Sequence, residues 1–377
     1  MPALAVPVTM DDVTPAWLTA ALRESGVLSK ATVTAAPRVT IGTGVGILGE
    51  LARVTLTYDQ AETGAPKTLV AKIPTADPGG RGVAQMLGFY EKEARFYTDL
   101  AADCAVGAPK CYYTAQNPEK CEFIILMEDL DGIRIGDQVV GCTVEEAHLI
   151  SRNLARFHAQ WWASPELDVL DWIPGMDSPM QVLVVGAYLQ SLERFFTLEG
   201  ARLTDEQKGV ILALGSRIQS MQIALSAAPA TLAHGDPRLD NIFFGSSDGS
   251  REITFIDWQI LLKGRGVYDI GYLLSQSLSP ADRKAHEQDI VRAYHDALTA
   301  NGVTGYALEQ CWEDYRTAVL FCVVYPVIAG GSVELANERA VALLHAITER
   351  SVAAITDLGC AELLANYEER PFVMPGA

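Results

Sequence analysis

The segment His234-Gly235-Asp236-Pro237-Arg238-Leu239-Asp240-Asn241, with the hairpin that its sequel predicts, constrains this chain more than any other feature. Asn241-Ile242-Phe243-Phe244 reads as a strand and Gly245-Ser246-Ser247-Asp248-Gly249 as a turn. Ile253 and Phe255 are the alternating apolar positions of a return strand that ends at Asp257. A short polar loop in front of such a hairpin presents Asp236 at its head and Asn241 five positions later. Groups held that way suit in-line phosphoryl transfer, which asks little covalent work of a protein. It needs a carboxylate to orient an incoming hydroxyl and accept its proton, and oxygen ligands for Mg²⁺. Asp236 meets the first need; the Asn241 amide oxygen and the Asp257 carboxylate meet the second. Each piece alone is common, since His-Gly-Asp occurs by chance and an Asp after an apolar strand often only forms a turn. The spacing and the hairpin together carry the reading.

This constellation resembles the aminoglycoside phosphotransferase and choline kinase superfamily, whose catalytic loop reads His-Gly-Asp-x-x-x-x-Asn and whose metal-binding Asp closes an Ile-Asp-Trp-like strand. The string from His234 to Phe244, with Ile256-Asp257-Trp258-Gln259 and Gly266-Val267-Tyr268-Asp269-Ile270-Gly271-Tyr272, is most similar to the ecdysteroid-kinase-like bacterial branch. The resemblance implies an α+β, protein-kinase-like two-lobe fold, with a small β-rich N-lobe and a larger, mainly helical C-lobe. It implies Asp236 as catalytic base, Asn241 and Asp257 as Mg²⁺ ligands, and Asp269 as a residue that supports the catalytic loop from below. Arg238 and Asp240 stay outside the catalytic set, because Arg238 could touch the γ-phosphate or substrate or equally pair with Asp240 or another carboxylate.

A kinase also needs a loop over the phosphates, a lysine, and a carboxylate that fixes the lysine. Gly44-x-Gly46-x-x-Gly49 supplies a glycine loop that a dinucleotide-binding fold would also supply. A Rossmann turn must open a helix, however, whereas Leu51 to Tyr58 alternates like a strand, so Gly44, Val45 and Gly46 are read as the nucleotide loop of a kinase hairpin. Thr68-Leu69-Val70-Ala71-Lys72-Ile73 is a short apolar strand with the Val-Ala-x-Lys look, which makes Lys72 the phosphate-binding lysine. Its bland alternative is an edge-strand lysine pointing to solvent. Phe89, Phe96 and Leu100 share one helical stripe, and Glu93 falls on that side. Glu93 is therefore the partner for Lys72, and Glu91 faces solvent or Arg95. Phe123 to Met127 is an apolar strand that stops at Glu128-Asp129-Leu130, the expected hinge near 127 to 131. There Glu128 and Leu130 would offer main-chain groups to an adenine ring; otherwise the pair Glu128-Asp129 is a solvated strand end. The expected lobes are 1 to 127 and 128 to 377.

The remainder reads as helical. Thr143-Val144-Glu145-Glu146 is a capping box before the stripe Ala147, Ile150, Leu154, Phe157 and Trp161, with His158 beside it as a structural histidine. Further helices are expected at 180 to 197, 204 to 226, 280 to 301 and 307 to 330, and a long or broken one at 335 to 367. With 377 residues and 49% hydrophobic content, two cores can be built. Seven cysteines without C-x-x-C spacing argue against a disulfide scaffold. A formal charge of −18 disfavours nucleic acid and anionic membranes as partners. No basic-then-apolar leader and no uninterrupted membrane-length apolar run is evident, so the expected location is cytoplasmic. The expectation is thus an ATP- and Mg²⁺-dependent kinase of a small-molecule alcohol. Its rivals are a catalytically inactive nucleotide-binding pseudokinase scaffold and a dinucleotide-binding oxidoreductase.

Overall fold

In the computed structural model, which describes residues 4–42 and 48–373, the chain forms two compact units. The first is the chain up to Arg134 together with Phe243–Ile260; the second is Ile135–Ile242 together with the chain from Leu261 onward. The partition thus falls at Arg134, and the segment 243 to 260 returns to the first unit although the sequence reading placed it in the second lobe.

The first unit is built on five antiparallel strands: β1 (Arg38–Ile41), β2 (Gly49–Thr55), β3 (Thr68–Pro74), β4 (Cys111–Asn117) and β5 (Glu122–Glu128), in the order β1-β2-β3-β5-β4. Side chains alternate across a strand. Leu69, Ala71 and Ile73 of β3 join Ile124 and Leu126 of β5 on one face, under Leu18, Ala21 and Leu22 of helix α1 (Pro15–Glu24). The opposite face carries Lys72 and Phe123, where Tyr90 of α2 (Phe89–Arg95) stacks on Phe123 with ring centroids 4.5 Å apart. With both faces covered, β3 and β5 read as continuous apolar runs rather than alternating ones. Lys72 sits on a central strand and is 8% exposed, so the solvent-facing edge alternative fails.

The second unit is helical: α3 (Val144–Gln160), α4 (Val182–Glu199), α5 (Val267–Ser277), α6 (Pro280–Ala300), α7 (Leu308–Cys322), α8 (Val324–Ser332) and α9 (Glu338–Asp357). Thr143 and Glu146 form the expected capping box on α3. Two expected helices are broken. Residues 204 to 226 form Asp205–Leu214 and Ile218–Ser226 around Gly215. The stretch 307 to 330 divides at Val323, because Pro326 lacks the N–H that would bond the Cys322 carbonyl one turn back. The Gln276 amide takes that carbonyl instead, at 2.9 Å. Leu308–Ser332 is also long and apolar enough to cross a membrane, but 61% of its most apolar window is buried in the helical core, where Tyr315, Ala318 and Val319 are fully enclosed. Thr231–Ala233 and Leu262–Gly264 pair antiparallel, and the first of these strands runs directly into His234. All seven cysteines are free thiols.

Candidate active site

In the first unit, three residues far apart in sequence meet. Lys72 Nζ lies 2.8 Å from Glu93 Oε1, 2.7 Å from Glu93 Oε2 and 2.9 Å from Asp257 Oδ1. Glu93 is thus the lysine's partner, as expected, and Glu91 stands 3.7 Å from Arg95 on the same helix. The meeting is enforced by packing. Trp258, next to Asp257 and fully buried, stacks flat on Phe96 at the end of α2, with centroids 3.9 Å apart and planes 9° from parallel. The Trp258 indole N–H donates to the Phe255 carbonyl at 3.2 Å. That clamp ties the glutamate's helix to the aspartate's strand end. Asp257 itself has φ +66°, a left-handed conformation rare for a residue with a side chain, so the fold spends conformational energy to aim this carboxylate.

Burial alone would push the Lys72 ammonium down; Asp257 and Glu93 together outweigh it and hold the pKa above the ordinary lysine value. Burial, reinforced by Asp257, pushes Glu93 above the usual carboxylate range against the pull of Lys72. One cation serves two carboxylates here. Gly49 explains the third glycine of the loop motif: a Cβ there would stand 3.1 Å from Lys72 Cε and 3.3 Å from the Ile73 carbonyl. Gly44, Val45 and Gly46 lie outside the described residues.

At the end of β5, Glu128 and Asp129 do not form a solvated strand end. The Glu128 carboxylate accepts from Lys110 N–H at 3.0 Å, from Arg251 at 3.2 Å and from the Ser247 hydroxyl, while Arg53 lies 2.9 Å from Asp129. The main-chain N–H of Glu128 donates to Lys110 O, and the Leu130 carbonyl accepts from Ile133. The sequence reading gave Glu128 a backbone role only and missed that its side chain fastens the 245 to 251 turn.

In the second unit, the polar residues of the 234 to 241 loop lie together. Asn241 Nδ2 donates to the Asp236 carbonyl at 3.0 Å and to Asp236 Oδ2 at 3.1 Å. Its amide oxygen is therefore the atom to offer a cation. Arg238 Nε stands 3.3 Å from Asp236 Oδ2, so this guanidinium pairs with the loop's leading carboxylate. Gly235, at φ +86°, makes the turn that a side chain would strain. Asp269 is fully buried beneath the loop: Oδ2 accepts from His234 N–H at 2.8 Å and Oδ1 from Gly235 N–H at 3.0 Å. His158 is held between Asp269, at 3.1 Å, and the Tyr294 hydroxyl, at 2.8 Å, as a structural histidine would be.

Three loop supports escaped the sequence. Gln138 accepts from Leu239 N–H at 2.8 Å, and its own N–H donates to Asp240 at 3.3 Å. Arg339 donates to Asp240 at 2.9 Å and to Asp137 at 3.0 Å. Arg350 donates to the Gln138 carbonyl at 2.7 Å. Only Arg350 left a signal: it stands three positions after buried Ile347 on α9, where a charge needs a partner.

Among the described residues, no group of three or more His, Cys, Asp or Glu is arranged to hold a metal by itself. Each unit holds one group of the kind that Mg²⁺ takes together with waters and substrate phosphates: the Asp257 carboxylate in the first and the Asn241 amide oxygen in the second.

The model of the ecdysteroid kinase-like family matches residues 44–168 and 182–302. An uncharacterized kinase-like protein of Caenorhabditis elegans is 25% identical over 244 residues, covering 60% of this chain and 61% of that protein's length. Among solved structures, the GDP complex of wild-type aminoglycoside 2′-phosphotransferase-IIIa aligns with a TM-score of 0.53 and 14% identity, covering 85% of this chain and 93% of that one. Choline kinase from Cryptosporidium parvum aligns with a TM-score of 0.48 and 11% identity, covering 88% and 89%. The first of these structures shares the fold, an α+β arrangement of a sheet-based unit and a helical one.

Proposed function

Because the chain belongs to the ecdysteroid kinase-like family of kinase-like phosphotransferases, we propose that it transfers the terminal phosphoryl group of ATP to a hydroxyl of a small molecule. The observation that carries this reading is the buried Lys72, held by Glu93 and Asp257 although 185 residues separate the lysine from the aspartate. A fold spends that much desolvation on a fixed cation where anionic oxygens are to be met.

In this reading Lys72 offers a point charge to the nucleotide phosphates, and Glu93 keeps it from swinging away. The Asp257 carboxylate and the Asn241 amide oxygen are the ligands for Mg²⁺, which when bound would neutralise phosphate charge as transfer proceeds. Asp236 orients the acceptor hydroxyl and accepts its proton; Asp269 fixes the backbone that carries Asp236. Gly44, Val45, Gly46 and the main chain of Glu128 and Leu130 complete the nucleotide contacts. The formal charge of −18 supports a small-molecule partner over nucleic acid or an anionic membrane.

The test pairs wild type with Asp236→Asn. ATP consumption with Mg²⁺ is measured against pooled aminoglycosides, choline-like amines, sugars and hydroxylated steroids or lipids. Nucleotide affinity is measured by calorimetry. Turnover should vanish in the variant while ATP binds as before; a variant that still phosphorylates the acceptor sinks the assignment of the base.

A further inference from the structure

The catalytic loop is capped from outside itself. Leu239–Asn241 form a single helical turn between Asp236 and the amide that faces the cation. The first N–H of such a turn has no partner within it, and the side chain just before the turn ordinarily supplies one. Arg238 stands at that position, and a guanidinium has no acceptor to offer. The Gln138 amide oxygen takes the Leu239 N–H instead, at 2.8 Å. One residue on, the Asp240 carboxylate accepts from the Gln138 main-chain N–H at 3.3 Å. Gln138 thus grips two successive residues of the turn that ends in Asn241.

Gln138 is itself immobilised. It is 1% exposed, and its Nε2 donates to the Gln276 carbonyl at 2.8 Å and to the Ser277 hydroxyl at 3.2 Å, both at the end of α5. Arg350 of α9 donates to the Gln138 carbonyl at 2.7 Å and to the Val139 carbonyl at 2.9 Å. Two residues earlier, the Gly136 N–H donates to the Ile242 carbonyl at 2.9 Å, and a Cβ on Gly136 would stand 2.6 Å from the Leu239 carbonyl. The segment 136 to 138 therefore lies tight against the turn.

We propose that Gln138 is a positioning residue for phosphoryl transfer. It sets the turn that presents the Asn241 amide oxygen and, through the bonds from Asn241 to Asp236, the separation of metal ligand and base. The proposal rests on the kinase reading above. Gln138 bonds to Leu239 and Asp240, which take no part in the chemistry, so its contribution is geometric. Geometry of this kind is costly to lose, because misplacing a catalytic group by about 1 Å costs on the order of a hundredfold in rate.

Gln138→Met in the full chain keeps the length of the side chain and removes both halves of its amide. With an acceptor from the panel, kcat should fall roughly ten- to a hundredfold while KM for ATP·Mg²⁺ stays within about twofold. Gln138→Glu keeps an oxygen for the Leu239 N–H. At about pH 6, where a buried carboxyl keeps its proton and can donate to the Gln276 carbonyl, it should recover most of the loss measured for Gln138→Met at the same pH. A methionine variant with wild-type kcat, or a glutamate variant that recovers nothing, overturns the proposal while leaving the kinase reading intact. A second readout needs no turnover: hydrogen exchange of the peptide 234 to 244, followed by mass without substrates. The methionine variant should exchange the Leu239 amide roughly tenfold faster than wild type, while peptides of α3 stay protected as before and exclude a general loss of structure. Equal exchange in both proteins overturns the contact. If wild type phosphorylates nothing in the panel, the kinase reading has failed, and the exchange ratio still decides whether Gln138 holds the turn.

Discussion

Replacing Lys72 by methionine isolates what holds the first unit's charged cluster together. Nζ stands 2.8 Å from Glu93 and 2.9 Å from Asp257. At an effective dielectric of about 20, unit charges that close attract by about 6 kcal/mol per contact. Desolvation of three groups returns most of this, and removing one partner of such a buried set leaves a loss of roughly 3–5 kcal/mol. Methionine nearly conserves the volume, so the cavity contribution is small. The loss should depend on pH. In wild type the Lys72 pKa is raised, so its contribution is complete below the ordinary 10.5 and disappears only as pH rises through the higher folded value. In the variant Glu93 loses the ammonium that opposed its burial, and its folded pKa climbs further above the ordinary 4.5. A raised carboxyl favours the folded state below its unfolded value, and that advantage is lost as pH rises. Wild-type Glu93 is already pushed up to about 7, so the two proteins lose stability in parallel below that pH, and the destabilisation of Lys72→Met should grow from about pH 7 to about pH 9, where it reaches roughly 3–5 kcal/mol in urea unfolding followed by tryptophan fluorescence. Adding Glu93→Gln removes the stranded charge and should recover about half of it. A loss under about 1 kcal/mol, one that is equal at both pH values, or a double variant no better than the single refutes the reasoning.

Lys92 offers the opposite case, a lysine 5% exposed that no carboxylate pairs with among the described residues and whose ammonium lies 4.8 Å from the Phe89 ring centroid. Burial pulls its pKa down to about 8, a penalty that is lifted above the ordinary 10.5 and sets in as pH falls toward 8. Lys92→Met should stabilise the protein by about 2–3 kcal/mol at neutral pH, with the gain fading toward pH 10 in denaturant titrations; no gain would mean the charge is solvated after all. Arg339 is about two-fifths exposed, so Arg339→Ala should cost under about 1 kcal/mol of stability. By freeing Asp240 it should still lower kcat roughly tenfold with unchanged ATP affinity, and an unaltered kcat would show that the clamp on Asp240 is dispensable.

Local chemistry was legible where residues close in sequence act together. The Asp236 to Asn241 spacing, the capping box at Thr143, the choice of Glu93 over Glu91 and the strand after the glycine loop all follow from periodicity and turn residues. Non-local relations were not. Nothing at Gln138 or Arg339 marks them as neighbours of the loop at 234 to 241, because they reach it from 101 and 99 residues away through packing that periodicity does not define. The break at Val323 was in principle readable from Pro326, but the apolar run through Phe321 to Ile328 spoke for one continuous helix. The Glu128 side chain was missed because its partner Arg251 lies 123 residues away.

The return of Phe243–Ile260 to the first unit sets an order on biosynthesis. A ribosome adding about 5–20 residues per second needs roughly 6–25 s to make the 126 residues between Arg134 and Ile260 (260 less 134). Throughout that interval the five sheet strands already exist, yet Phe96 has no Trp258 to stack on and Lys72 has only Glu93. The emerging chain therefore passes through a stage with an uncovered aromatic face and an incomplete charge cluster. The amino-terminal part cannot be finished as an independent cassette, whether by the ribosome or by gene fusion at Arg134.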